Sequence, residues 1–209
     1  MGEQVPDAQS QLNALAEEVR HCQRCGLGKT RLKAVPGDGP ADAEILFIGE
    51  APGYQENQQG LPFVGQAGML LEELLASIGL NRQRVYIANV IKCRPPQNRD
   101  PLPTEMQACA GYLDRQIAII RPRLIVTLGR FSMARYFPGA SISKIHGQPR
   151  KGDGVTYYPV FHPAAALHQP SLRQALELDF KKIPQVLAGA LAEHGKTEAP
   201  ATVEQLRLF

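Results

Sequence analysis

At 209 residues, of which 44% are hydrophobic, the chain is long enough to bury one sizeable core, and a single domain is the default reading. A formal net charge of +3 permits binding to a polyanion without demanding it. No segment approaches the roughly 18 uninterrupted apolar residues of a membrane span. The polar start "MGEQVPDAQS" also lacks the apolar run of a signal peptide, so the expectation is a cytoplasmic protein without membrane contact, whose four cysteines stay reduced.

In chain order, Leu12, Leu15, Ala16 and Val19 recur at helical spacing and predict a helix from Ala8 to about Arg20, running into the turn "HCQRCGLGKTR". Four β-rich runs follow: "EILFIG" at 44 to 49, "VYIANVI" at 85 to 91, "LIVTLG" at 124 to 129 and "YYPVF" at 157 to 161. Helical patterns lie between them at about 66 to 79 and 104 to 120, with a short one near 130 to 136. This alternation predicts an α/β fold, a three-layer αβα arrangement around a mostly parallel four-stranded sheet. After Pro170 a serine-capped run, "SLRQALELDFKKIPQVLAGALAEHG", predicts a long last helix bent or interrupted at Pro184. The domain is expected to span residues 1 to 194, and the polar, Pro- and Thr-containing stretch beyond it reads as a flexible tail over 195 to 209.

The first strand stops at "GEAPGYQENQQGLPFVG", and the C-terminal ends of strands are where open α/β sheets bind ligands. A phosphate-cradling loop is excluded, because no Gly-Lys-Ser/Thr opens the following helix. Glu50, Glu56 and Phe63 suit a neutral planar ligand and water instead. Two further strand ends carry polar residues. Asn89 closes an otherwise apolar strand, where an unpartnered amide costs about 1 to 3 kcal/mol, and His162 leaves its strand directly into a proline turn. Taken singly, Asn89 reads equally as a satisfied structural amide and a lone histidine is more often structural or exposed than catalytic; together with the loop they map to one edge of one sheet.

Cys22 and Cys25 stand two residues apart after the first helix, Cys93 follows a strand, and Cys109 lies in a helical stretch. A lone Cys-x-x-Cys is shared by redox and zinc motifs. Structural zinc sites usually show two close pairs, and the spread second pair favours iron–sulfur ligation by four thiolates, with zinc and plain burial as the alternatives.

In order and at compatible separations, "GEAPG…QGLPFVGQAG", "IANVIKCRPP", "TLGR", "HP" and the four cysteines closely resemble the family 4 uracil-DNA glycosylases, the iron–sulfur branch of the uracil-DNA glycosylase superfamily. The resemblance covers about residues 10 to 190. It implies a DNA-repair hydrolase that flips uracil out of DNA and hydrolyses its N-glycosidic bond to leave an abasic site. It implies a 4Fe-4S cluster on Cys22, Cys25, Cys93 and Cys109, structural in role although redox sensing stays open. Phe63 is then expected to stack on uracil, Asn89 to read N3–H and O4, and the backbone N–H near Ala51 to add a contact to the base. His162 is expected to donate to O2 as negative charge develops there. Glu56 is the favoured site-facing carboxylate, positioning water and stabilising the cationic sugar or else excluding the thymine methyl, with Glu50 holding the loop or touching the base. Lys144, His146 and Arg150 are expected on DNA phosphates, and Leu167 as a wedge in the stack.

The chain departs from the family pattern at Asn57, where many relatives are acidic, at Ala164, where they carry serine, and at His146, where they often carry arginine. A covalent branch of the superfamily uses a histidine in this region, which gives an alternative: a uracil-DNA capping protein acting through His146 without turnover. The last five residues, "QLRLF", closely resemble the bacterial sliding-clamp binding motif, with Gln205 for orientation and Leu206, Leu208 and Phe209 for the pocket. A monomer that works on uracil-containing DNA and is tethered to the sliding clamp is the expectation.

Overall fold

The computed structural model describes residues 7 to 152 and 154 to 197. The chain runs α1 (Ala8–Arg20), α2 (Leu27–Thr30), β1 (Ile45–Gly49), α3 (Tyr54–Gln59), α4 (Gln66–Ser77), β2 (Tyr86–Asn89), α5 (Pro103–Ile120) and β3 (Leu124–Leu128). It continues through α6 (Arg130–Ala134), α7 (Ile142–Ile145), β4 (Arg150–Gly152), β5 (Val155–Val160), α8 (Pro163–Ala166) and α9 (Pro170–Thr197).

The sheet order is β2-β1-β3-β5-β4, and its first four strands are parallel, as expected. The count of four is corrected to five by β4, which pairs antiparallel with β5 at the edge. Three residues of Arg-Lys-Gly are too short and too charged to show a period, and a short charged edge strand resists pairing with a foreign chain.

Alternation builds the three layers. Ile45 and Phe47 of β1, Ile87 of β2, and Leu124, Val126 and Leu128 of β3 face a core completed by α4 and α9. Leu46 and Ile48, Tyr86 and Ala88, and Ile125 face the opposite core, completed by α1 and α5. β2 is shorter than the apolar run suggests, because Val90 and Ile91 turn to donate to the carbonyls of Gly49 and Glu50. α9 starts at Pro170, where a proline lacks nothing a first helical residue needs, and continues uninterrupted through Pro184. Phe180 and Ile183, both fully buried, hold the turn before Pro184 to the core. The helix runs past residue 194; residues 205 to 209 of the clamp-like motif lie outside the described residues.

Candidate active site

Parallel register sets the strand ends side by side, with Gly49 aligned to Asn89. Both fall on the α4 and α9 side of the sheet by alternation. A Cβ on Gly49 would stand 2.4 Å from Asn89 Oδ1 and 2.7 Å from the Phe63 ring, so the bare glycine is what lets ring and amide meet. Asn89 is 2% exposed and its Oδ1 has no hydrogen-bond partner among the described residues. An orphaned acceptor at this depth costs about 1 to 3 kcal/mol, a cost that a ligand donating to it would relieve.

Phe63 is buried with φ 52°, a left-handed backbone that a bulky residue avoids, at a cost of about 1 to 3 kcal/mol. Two contacts hold it there. Arg82 donates from Nη1 to the Phe63 carbonyl at 2.9 Å and from Nη2 to the Pro62 carbonyl at 2.5 Å. Gly68 in α4 lies so close beneath that a Cβ there would be 1.9 Å from the Phe63 oxygen. The Phe63 ring stacks toward His162, with centroids 5.7 Å apart and planes 28° from parallel.

His162 caps α8: its Nδ1 accepts from Ala164 N–H at 3.1 Å. An accepting Nδ1 leaves the ring proton on Nε2, so a neutral imidazole here is a donor at its far edge. Burial holds the ring's pKa down to about 4, with Glu56 pulling weakly the other way. The imidazole is therefore neutral at physiological pH.

The two carboxylates differ in what they bind. Glu56 holds the loop: Oε2 accepts from Gly53 N–H at 3.0 Å, and Oε1 accepts from Val64 and Gly65 N–H, both at 2.9 Å. The Glu50 carboxylate has no hydrogen bond among the described residues. Burial raises its pKa, nearby Asp100 adds to the rise, and Arg130 opposes it. A half-desolvated carboxylate without a partner is free to engage a ligand or water. Both glutamates line one cavity of about 290 Å³ with Ala51, Phe63, Asn89 and His162, a size suited to a small planar ring.

Sequence reading missed part of this cavity. Pro95, Asn98 and Arg99 form a further wall, from a loop in which Gln97 and Asn98 both have φ 55°. The turn-rich "RPPQNRDP" signalled a loop but not its direction. Arg82, nineteen positions after Phe63 and seven before Asn89, carried no local signal at all.

The basic residues divide. Lys144 and Arg150 are exposed, with the Arg150 guanidinium 5.9 Å from the Phe137 ring centre. His146 is engaged, its Nδ1 2.6 Å from Asp179 Oδ2 and its ring 4.4 Å from Phe161. Leu167 is half-buried against the α4 and α9 core.

Cys22 and Cys25, half-buried, and Cys93 and Cys109, buried, are free thiols that line one small apolar cavity. Three of the sulfurs accept hydrogen bonds: Cys22 from Arg24 N–H at 3.4 Å, Cys93 from Arg31 Nη1 at 3.2 Å and Cys109 from Lys92 N–H at 3.3 Å. Among the described residues no three side chains converge in the manner of ligands to one metal ion. The four thiols line one cavity, and four cysteines are a donor set that an iron–sulfur cluster uses.

Residues 36–187 match the family model of the uracil DNA glycosylase superfamily. The chain belongs to that superfamily. It is 49% identical over 185 residues to the type-4 uracil-DNA glycosylase of Sulfurisphaera tokodaii, covering 84% of each chain. It is 48% identical to the type-4 enzyme of Archaeoglobus fulgidus, over 84% of this chain and 92% of the relative. A type-5 uracil-DNA glycosylase of Thermus thermophilus is more distant, 34% identical over 58% of this chain. The described helices include none long and apolar enough to cross a membrane.

Proposed function

We propose that this protein is a type-4 uracil-DNA glycosylase that excises uracil from DNA by hydrolysis of the N-glycosidic bond. The observation that carries the reading is that Phe63, Asn89 with its unpartnered Oδ1, and His162 with Nδ1 already occupied line one cavity. The flipped base stacks on Phe63, a contact worth about 1 to 3 kcal/mol. Asn89 Oδ1 accepts from uracil N3–H; cytosine offers no proton there and leaves the acceptor buried and unpaired, the mismatch that hydrogen-bonding sites reject most strongly. His162 donates from Nε2 to O2 as the leaving ring gains negative charge, an interaction worth about 2.7 to 4 kcal/mol. The ring does not need to be protonated first.

Glu50 is the carboxylate we assign to the cationic sugar and the attacking water, because it is the one without backbone partners. Glu56 shapes the loop that presents Ala51 N–H and Phe63. Lys144 and Arg150 supply phosphate contacts, with His146 beside them and Leu167 as the wedge. A covalent or non-turnover role for His146 is not supported: the chain aligns over most of its length with turnover enzymes, and its Nδ1 is engaged by Asp179.

Cys22, Cys25, Cys93 and Cys109 would hold a 4Fe-4S cluster, supported by the shared cavity and the N–H···S bonds. Bound there, the cluster supplies four metal–thiolate bonds that clamp the segment after α1 against α5 and the end of β2. The enzyme is proposed to act as a cytoplasmic monomer of one domain, with the tail beyond α9 carrying Gln205, Leu206, Leu208 and Phe209 to the sliding clamp; that last reading rests on the sequence motif alone.

The test is strand cleavage by alkali after incubation with a uracil-containing oligonucleotide. Wild-type protein is expected to yield cleavage at uracil and none at cytosine or thymine. A protein that leaves every uracil intact, or that forms a denaturant-resistant adduct instead, overturns the reading.

A further inference from the structure

Lys92 is 1% exposed, one residue before a cysteine of the thiol cavity and three after the base-reading Asn89. Its Nζ donates to the Asn89 carbonyl at 2.9 Å and to Gln116 Oε1 at 2.7 Å. Gln116, also 1% exposed, passes the connection on: Nε2 donates to the Pro36 carbonyl at 2.8 Å and to Tyr86 Oη at 3.1 Å. The backbone of Lys92 is tied as tightly, its N–H to Cys109 Sγ at 3.3 Å and its carbonyl accepting from Val35 N–H at 2.8 Å. Among the described residues Lys92 forms no ion pair with a carboxylate.

A buried ammonium without a countercharge is among the most costly groups a core can hold. Two neutral carbonyl oxygens accept two of its three protons and neutralise none of its charge. Lys92 lines the thiol cavity together with Cys93 and Cys109, which would be thiolates when the cavity is loaded, while Arg135 adds a like charge nearby.

We propose that Lys92 is a positioning residue that fixes the main chain of Asn89 and takes its countercharge from Cys93 and Cys109, so that one buried ammonium serves the metal centre and the base reader together. This rests on the glycosylase and cluster readings above. The turn from Asn89 to Cys93 is then a closed unit: the side chain of its fourth residue bonds the carbonyl of its first, and its fifth is a cluster ligand. Pinning that carbonyl adds to the strand pairing that already fixes the main chain of Asn89, and steadies the aim of its amide.

The experiment uses the purified, cluster-loaded protein and Lys92→Met, which keeps the length of the side chain and removes charge and donors. Two readouts are taken. In the first, the visible absorption of the cluster is followed during exposure to a chelator; Lys92→Met is expected to bleach at least threefold faster than wild type. In the second, kcat/KM for uracil excision is measured for Lys92→Met, Asn89→Ala and the double variant. Lys92→Met is expected to lose about tenfold or more, mainly in KM, and the double variant to be no worse than Asn89→Ala alone, the signature of two residues acting as a unit.

Bleaching at the wild-type rate overturns the countercharge; multiplied losses in the double variant, or an unchanged kcat/KM, overturn the positioning role. If Lys92→Met does not fold, Gln116→Leu, which keeps the ammonium and removes one partner, must show a smaller loss in kcat/KM, and wild-type behaviour there sinks the proposal. A wild-type protein that excises nothing defeats the glycosylase reading instead, and the bleaching comparison still tests Lys92.

Discussion

At the scale of single residues, the site is governed by which polar atoms are already occupied. His162 spends Nδ1 on capping α8 and so has only Nε2–H to offer; His162→Ala is expected to lower kcat by about 10² to 10³ in single-turnover excision with less effect on substrate binding. Its depressed pKa has a signed consequence for stability. Between the unfolded value of 6.5 and the folded value of about 4, the unfolded chain binds the extra proton, so stability is full above pH 6.5 and falls as the solution is acidified toward pH 4. Urea midpoints measured across that window are expected to drop with acid in the wild type and to drop less in His162→Gln. The carboxylates separate in the same way. Glu50→Gln is expected to keep the fold and substrate binding and to lose about 10² or more in kcat. Glu56→Gln leaves loop N–H groups poorly matched, and should raise KM and lower stability by about 1 to 3 kcal/mol, read from a urea titration beside the kinetics.

At the scale of elements, a strained loop is held by a residue outside the lining of the cavity. Arg82 bridges two consecutive carbonyls to keep Phe63 left-handed. Arg82→Ala is expected to weaken binding to uracil-containing DNA about tenfold while leaving binding to undamaged DNA nearly unchanged, measured by fluorescence anisotropy. This contact marks the limit of what the chain announces about itself. The four parallel strands were legible because each is a short apolar run ended by glycine or a polar residue, and the site was legible because its side chains sit at those ends. Long-range carbonyl contacts such as those of Arg82 leave no period or spacing. The binding of Glu56 by the loop was hidden for a related reason: it depends on which backbone N–H groups a folded loop turns inward. The β4 edge escaped because three residues are too few to alternate.

At the scale of the whole molecule, the net charge of +3 is modest, so the proposed affinity for DNA rests on local placement of exposed cations, for which Lys144 and Arg150 are the candidates. Raising salt from about 50 to 200 mM is expected to weaken binding with a shallow slope, a few phosphates' worth, and Lys144→Gln to reduce that slope by about one. The four thiols join the stretch after α1 to α5 and to the end of β2. Replacing Cys22 and Cys25 by serine together is expected to yield colourless protein with a lower melting temperature, checked by iron analysis and thermal denaturation.

The parallel register has a last consequence. Gly49 and Asn89 share one rung of the ladder. A slip of one rung would turn the amide to the opposite side of the sheet, away from the ring it must face. Aim is thus inherited from main-chain pairing at the centre of the molecule, and changes on the outer helices can weaken the whole without spoiling its accuracy.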